Sequence, residues 1–288
     1  MVPEDFWLSQ PIYQHPEFLL TVAPRTSWYA EFRSRSGTVY FPFTGQKWLG
    51  KWRLFQVPYC QKYRPFSVER NCDTAEFYPQ WLQFLKEKAW TISWPLEGNP
   101  NLENLGNLIV EKKINQFVSL QPRGEEIIHN WKSGRKQALK KSEGLKTVEL
   151  DDQSFSTFLN QILKQKSGPG WRPDRKETEL LLSLSHHPYF QQHLFRYGVL
   201  DGKECLTLVL LVFWNKRFHY LFSTNTSKGF SGEALTRFFH DFFTGHASSP
   251  NLFDFEGSSL PGVHAFFASL GAEEEEYSLI RKNGFGLG

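Results

Sequence analysis

The sequence predicts an α/β protein, in two successive domains or one elaborate one, with mixed, mostly antiparallel sheets flanked by helices. Three observations carry that expectation. The chain has 288 residues, more than the roughly 100–150 of an ordinary domain. Its apolar runs switch repeatedly between the alternation of strands and the 3.6-residue spacing of helices. Aromatic residues make up 16% of it, with 27 Phe and 10 Trp, which supplies two packed cores and excludes a disordered chain.

The first half is expected to begin as a sheet. Phe6-Trp7-Leu8 and Phe18-Leu19-Leu20 flank Pro11 and Pro16, and then Trp28–Phe32 and Thr38–Phe41 bracket Ser36-Gly37 as a hairpin. Residues 42–65 are aromatic and basic but aperiodic; they line a pocket or cover the sheet with their cations in solvent. Thr74 is a good N-cap for a helix carrying Phe77, Trp81, Phe84, Leu85 and Ala89. Trp90–Trp94 reads as a strand, Gly98–Gly106 as a loop, and Leu108–Leu120 as one long strand or two short ones. The first domain is placed at residues 1–124.

A connecting basic helix follows at 125–145. Lys132, Arg135, Lys136, Lys140 and Lys141 make it the densest cationic run in the chain. Positions 132, 136 and 140 share one helix face, with Arg135 beside them, so the segment reads either as a phosphate clamp or as a solvated face favourably placed near the helix C-terminus.

The second domain, 146–288, opens with a strand at Thr147–Leu150 and two helices, one from Ser154 and one around Leu180–Leu184. Between them, Lys166–Pro173 reads as a loop. The adjacent His186 and His187 point apart on a helix and make no metal pair. Leu194–Leu200, Cys205–Trp214 and Arg217–Ser223, joined by Asp201-Gly202 and Asn215-Lys216 turns, form a three-stranded meander. Thr226–Gly232 then leads into a helix carrying Leu235, Phe238, Phe239 and Phe242. Here Gly229, Ser231 and Gly232 offer backbone N–H groups at a helix start and Lys228 adds charge, an arrangement able to hold a phosphate. Glu273–Glu276 reads as a solvated turn before a last strand.

The most informative stretch is Leu252–Ala272. Along an extended chain Phe253 and Phe255 face one way while Asp254 and Glu256 face the other. Gly257-Ser258-Ser259 breaks the strand, Pro261 opens a helix with Val263, Phe266, Phe267 and Leu270 inward, and Gly271 ends it. Two carboxylates thus arrive together at a strand's end, with Ser258 and His264 close behind.

Composition narrows the partners. A net charge of +3 and a pI near 8.6 are too mild to demand a nucleic acid or a membrane. Cys60, Cys72 and Cys205 are odd in number and lack metal-ligand spacing, so free thiols in a reducing compartment are expected, with no metal site. The longest apolar run, Leu206–Trp214, is too short to span a bilayer. A cytoplasmic protein without membrane insertion is expected.

The element order from Thr147 onward resembles the GNAT acyltransferase fold. Phe253-Asp254-Phe255-Glu256-Gly257-Ser258, followed by Phe266-Phe267 and Leu270-Gly271-Ala272, is similar to the C-terminal signature of the FemAB/FemX-like branch, with Leu270 where that branch often has Phe. Arg135-Lys136-Gln137-Ala138-Leu139-Lys140-Lys141 resembles the branch's Arg-rich helix before its second domain. The resemblance implies a tandem GNAT architecture with a degenerate first copy. It also implies an N-acyltransferase that moves an acyl or aminoacyl group from acyl-CoA or aminoacyl-tRNA to an amine. Under it, Glu256 is base or amine anchor, Asp254 a supporting carboxylate, His264 an alternative base and Tyr220 an acid toward the leaving group. Lys228, Gly229, Ser231 and Gly232 would hold a donor pyrophosphate; Arg135, Lys136, Lys140 and Ser258 would contact substrate. The competing reading is a catalytically silent module of this fold that binds a phosphorylated small molecule.

Overall fold

The computed structural model describes residues 4–69, 71–98, 102, 105–164, 174–257 and 260–283. Packing divides the chain into two units, Met1–Ile114 with Glu276–Gly288, and Asn115–Glu275. The first crossing between them falls inside a continuous strand, Ile109–Ser119. The segment 125–145 belongs to the second unit.

The first unit opens with helices rather than the expected sheet: α1 (Glu4–Leu8), a 3-10 turn at Ile12–Gln14, and α2 (Pro16–Val22). Pro16 is set for a first helical turn, the His15 imidazole accepts the Glu17 N–H at 3.2 Å, and Phe18, Leu19 and Val22 share the buried face. β1 (Ser27–Ser34) and β2 (Gly37–Trp48) form the anticipated hairpin, in register from Ser34↔Gly37 to Ser27↔Thr44. β2 then folds back on β3 (Lys51–Leu54), a strand that the aperiodic aromatic segment conceals. α3 (Tyr78–Lys88) follows a 3-10 turn capped by Asp73 rather than Thr74. β4 (Ala89–Leu96) returns parallel to β3, β5 is Ile109–Ser119, and the end of the chain adds β11 (Glu273–Lys282) antiparallel to β4. Trp81 stacks on Phe41 at 5.2 Å and Tyr63 on Trp94 at 5.3 Å, so aromatic pairs form this core. Lys282 donates to the carbonyls of Leu85, Lys86 and Ala89, closing the C-terminus of α3.

In the second unit the single helix expected over 125–142 is two, α4 (Gly124–His129) and α5 (Ser133–Lys141). The break at 130–132 turns Trp131 into the core and sends the Lys132 N–H to the Ser269 carbonyl. β6 (Lys146–Glu149), α6 (Asp152–Lys164) and α7 (Arg175–Ser185) lead to the meander β7 (Leu194–Asp201), β8 (Glu204–Trp214) and β9 (Arg217–Asn225). The loop expected at 166–173 lies outside the described residues. After β9 come α8 (Ser227–Ser231), α9 (Ala234–His246), β10 (Leu252–Asp254) and α10 (Pro261–Ser269). The strand order is β5-β10-β9-β8-β7-β6. Pairing is antiparallel throughout except between β9 and β10.

β8 is buried along nearly its whole length, so both faces of the sheet are covered. On one face Phe238, Phe239, Phe242 and Phe243 of α9 pack with Val209, Leu211, Phe218 and Phe253. α6 packs on β7 and β8 and presents Phe155, Leu159 and Ile162 to the interior. Both units repeat one order: two helices, an antiparallel three-strand meander, a helix, and a strand returning parallel to the third.

Candidate active site at the parting of two parallel strands

β9 and β10 pair for only three residues, Arg217↔Leu252, Phe218↔Phe253 and His219↔Asp254. β9 then continues to Asn225 while the other chain turns away at Glu256 and Gly257, both at positive φ, 62° and 61°. Opposite β8, the register of β9 steps from Phe222 to Tyr220, leaving Leu221 as a bulge. A left-handed glutamate beside a bulge, where two parallel strands separate, is the kind of strained geometry that marks functional sites.

Alternation decides what faces this opening. Phe218, Tyr220, Phe253 and Phe255 lie toward α9 and α10, so Arg217, His219, Asp254 and Glu256 share the other face. The Nδ1 of His219 lies 2.6 Å from Oε1 of Glu256, and their side chains are 8% and 13% exposed. Asp254 is fully buried. Its Oδ1 accepts from Asn115 Nδ2 at 2.9 Å and from the Glu256 N–H at 2.8 Å, while Oδ2 meets Arg217 Nη1 at 2.6 Å. Glu275 completes the network, accepting from Arg217 at 3.0 Å and from Asn115 at 2.8 Å. Burial works against the Arg217 charge, but Asp254 and Glu275 outweigh it and hold the guanidinium more firmly protonated than usual.

Asp254's oxygens are committed to Asn115, the Glu256 N–H and Arg217 and so fix the Glu256 turn, while the Glu256 carboxylate meets His219. His219, Asp254 and Glu256 bring one donor atom each within 4.8 Å of one another, the closest approach to a cation site among the described residues. Arg217 already supplies the positive charge there.

The other expected site residues separate from this pair. Tyr220 lies on the opposite face, its ring among Phe239, Phe253, Phe255 and Phe267 and its hydroxyl on Ser223, and burial raises its pKa. It belongs to the core. His264 pairs with Glu274 at 2.9 Å near the surface. Ser258 lies outside the described residues. Arg135 is half-buried, donating to Glu233, Thr236 and Ser269 and stacked over Phe266 at 4.3 Å. Lys136 caps the His129 carbonyl, and Lys140 is exposed.

The glycine loop is likewise occupied by its own chain. Lys228 pairs with Asp201 at 2.9 Å and Glu204 at 2.8 Å, and Thr226 Oγ1 accepts the Gly229 N–H at 2.9 Å. The Gly232 N–H goes to the Lys228 carbonyl, as does the Ser231 hydroxyl. A Cβ on Gly229 would lie 2.3 Å from the Leu206 carbonyl oxygen, so the glycine is there for close packing on β8. At the head of α9, Glu233 places its carboxylate on Thr236 and Arg135, where an anionic ligand would otherwise sit.

Sequence reasoning missed Arg217, His219, Asn115 and Glu275. The alternation of β9 could have placed Arg217 and His219 on the polar face of their strand, but nothing local joins them to Asp254. Glu275, read both within a solvated acidic run and as the start of a last strand to Arg281, lies in β11 and turns toward Arg217 and Asn115.

No protein-family profile matches the sequence, and no curated protein matches it either. Solved structures do. The chain is similar to FemX with a TM-score of 0.64 and 11% identity, covering 95% of this chain and 94% of that one. It is also similar to the C-terminal domain of a protein described as a lysylphosphatidylglycerol synthetase from Agrobacterium fabrum. That match has a TM-score of 0.56 and 12% identity, over 97% and 90% of the two chains. A conserved Bacteroides thetaiotaomicron protein of unknown function gives a TM-score of 0.57 at 10% identity, over 92% and 88%. The meander, the parallel pair that parts and the repeat of that order in both units accord with these matches, and the chain has the FemX-like tandem GNAT fold.

Proposed function

We propose that this protein is an N-acyltransferase, moving an acyl or aminoacyl group from an activated donor to an amine. The observation that carries the reading is the buried His219–Glu256 pair, 2.6 Å apart, at the point where β9 and β10 separate. Three carboxylates, Asp254, Glu256 and Glu275, stand around one guanidinium and one imidazole. Such a face draws in a protonated amine. The Glu256–His219 pair takes one proton from the ammonium, and the neutral amine attacks the donor carbonyl, forming a C–N bond. The nitrogen's next proton passes to the leaving oxygen or sulfur as that atom's bond to the carbonyl carbon breaks, and the pair returns its proton to water. In this reading the bulged backbone at Leu221, beside the parting of the strands, supplies the donor to the developing oxyanion.

Between the two donor classes, the glycine loop favours an aminoacyl ester over acyl-CoA. Its N–H groups and Lys228 are satisfied internally, and Glu233 holds the head of α9. The phosphate-binding alternative is not favoured, because Arg135 and Lys136 are engaged within the unit.

The test supplies purified protein with aminoacyl-tRNA or acyl-CoA and a panel of primary amines. Transfer from the aminoacyl ester is expected, with Glu256→Gln lowering kcat by about 10²–10⁴ at little change in donor KM. Consumption of neither donor, or an unchanged kcat in the variant, overturns the reading.

A further inference from the structure

The tip of the β2–β3 hairpin is built against both of the usual economies of a protein surface. Trp48 is 45% and Leu49 82% exposed, side by side at the turn. Leu49 and Gly50 both have positive φ, 47° and 80°. That is a two-residue hairpin turn whose first position suits Asn or Gly and strains a leucine. A bulky aliphatic side chain therefore stands in water on a backbone that disfavours it.

The surroundings are cationic. Residues 37–54 hold Lys47, Lys51 and Arg53 and no carboxylate. Exposed Lys88 ends α3 directly before Ala89, which pairs with Trp52. Two stacked indole pairs stiffen the hairpin, Trp48 on Trp90 at 4.3 Å beside the turn and Trp28 on Trp52 at 4.1 Å behind it, with Lys47 Nζ 4.9 Å from the Trp52 ring. Two register rows below the tip, Arg53 lines a cleft of about 740 Å³ with Gln46, Thr91, Ser93 and Arg281.

We propose that this hairpin docks the protein on an anionic phospholipid surface, Leu49 and Trp48 entering the interface and the lysines meeting the headgroups. An aliphatic and an indole at a tip, flanked by Lys47 and Lys51, match a layer that is apolar inside and negative outside. A nucleic acid fits less well, because the indoles are stacked on one another and the foremost side chain is a leucine with no ring to stack on a base. Docking of this kind needs no spanning helix, and no helix among the described residues is long and apolar enough to cross a membrane. The inference stands apart from the transferase reading.

Flotation with phosphatidylcholine vesicles, with and without phosphatidylglycerol, tests it. The wild type is expected to float with the anionic vesicles and to be released by salt. Leu49→Asn should weaken partition by about tenfold or more. Because Asn-Gly suits this turn, the variant should keep or raise its Tm, which separates lost docking from lost folding. Lys47→Gln and Lys51→Gln should each weaken partition by roughly fivefold. Wild-type protein that stays with the unbound fraction, or Leu49→Asn that floats like the wild type, overturns the proposal. So does a tRNA mobility shift or a self-association that Leu49→Asn abolishes while vesicle binding stays unchanged.

Discussion

Replacing Asp254 with asparagine should expose how much of the site rests on one carboxylate. The side chain is fully buried and serves three donors, Asn115, the Glu256 N–H and Arg217. An asparagine can keep its oxygen toward Asn115 and Glu256, but then its NH₂ group points at the guanidinium, donor against donor, in a space closed to water. Removing one partner of a buried ion pair costs about 3–5 kcal/mol. Arg217 keeps a second carboxylate, Glu275 at 3.0 Å, and its side chain is 22% exposed. The expected loss is therefore about 2–3 kcal/mol, below that range. At roughly 2–4 °C per kcal/mol for a unit of this size, the midpoint should fall by about 4–12 °C. Thermal unfolding followed by circular dichroism reads this directly. In a cycle with Arg217→Met, the double variant should be less destabilised than the sum of the singles, since the lone buried charge is gone. A midpoint shift under about 1 °C, or strict additivity, would show that the Arg217–Asp254 pair does not hold the site.

Other consequences follow from neighbouring parts of the second unit. Gly229→Ala pushes a methyl group to 2.3 Å from the Leu206 carbonyl oxygen, so about 1–3 kcal/mol of destabilisation is expected in urea titration; an unchanged midpoint would mean that α8 lifts freely from β8. Burial alone would raise the pKa of Asp241, but hydrogen bonds from His240, Thr147 and Arg237 outweigh it and hold the carboxyl below its ordinary 3.8. With the folded value depressed, its contribution is present above pH 3.8 and is lost as pH falls through the folded value. Asp241→Asn should therefore flatten that part of the acid-unfolding curve, and parallel curves for the two proteins would contradict the assignment.

Much of the second unit is legible in the chain itself. The meander, the Phe-rich helix after it and the Phe253–Gly271 stretch each carry one period over several residues, and local alternation alone puts Asp254 and Glu256 on one face. The start of the chain misleads because short apolar runs between prolines do not show a period: Phe18-Leu19-Leu20 fits a strand until Pro16 and His15 are seen to open a helix. β3 is hidden for the opposite reason, its four residues alternating two cations with one Trp and one Leu over too short a run, with pairing rather than pattern making the strand.

By itself, the sequence determined most element types of the second unit, the carboxylate pair and the resemblance to a tandem acyltransferase fold, because these depend on residue identity and short-range spacing. Only the tertiary structure decided which partners each carboxylate meets. Arg217 and Asn115 reach Asp254 from β9 and β5 and, with the Glu256 N–H, occupy its oxygens; Glu275 of β11 accepts from both Arg217 and Asn115, while His219 comes from β9 to Glu256. These partners are separated by tens of residues or more in sequence, up to 160 for Asn115 and Glu275, and strand pairing alone brings them to one point. The same holds for Lys228 and Arg135, whose charges look available in the sequence and are met in the fold by acidic residues of other elements.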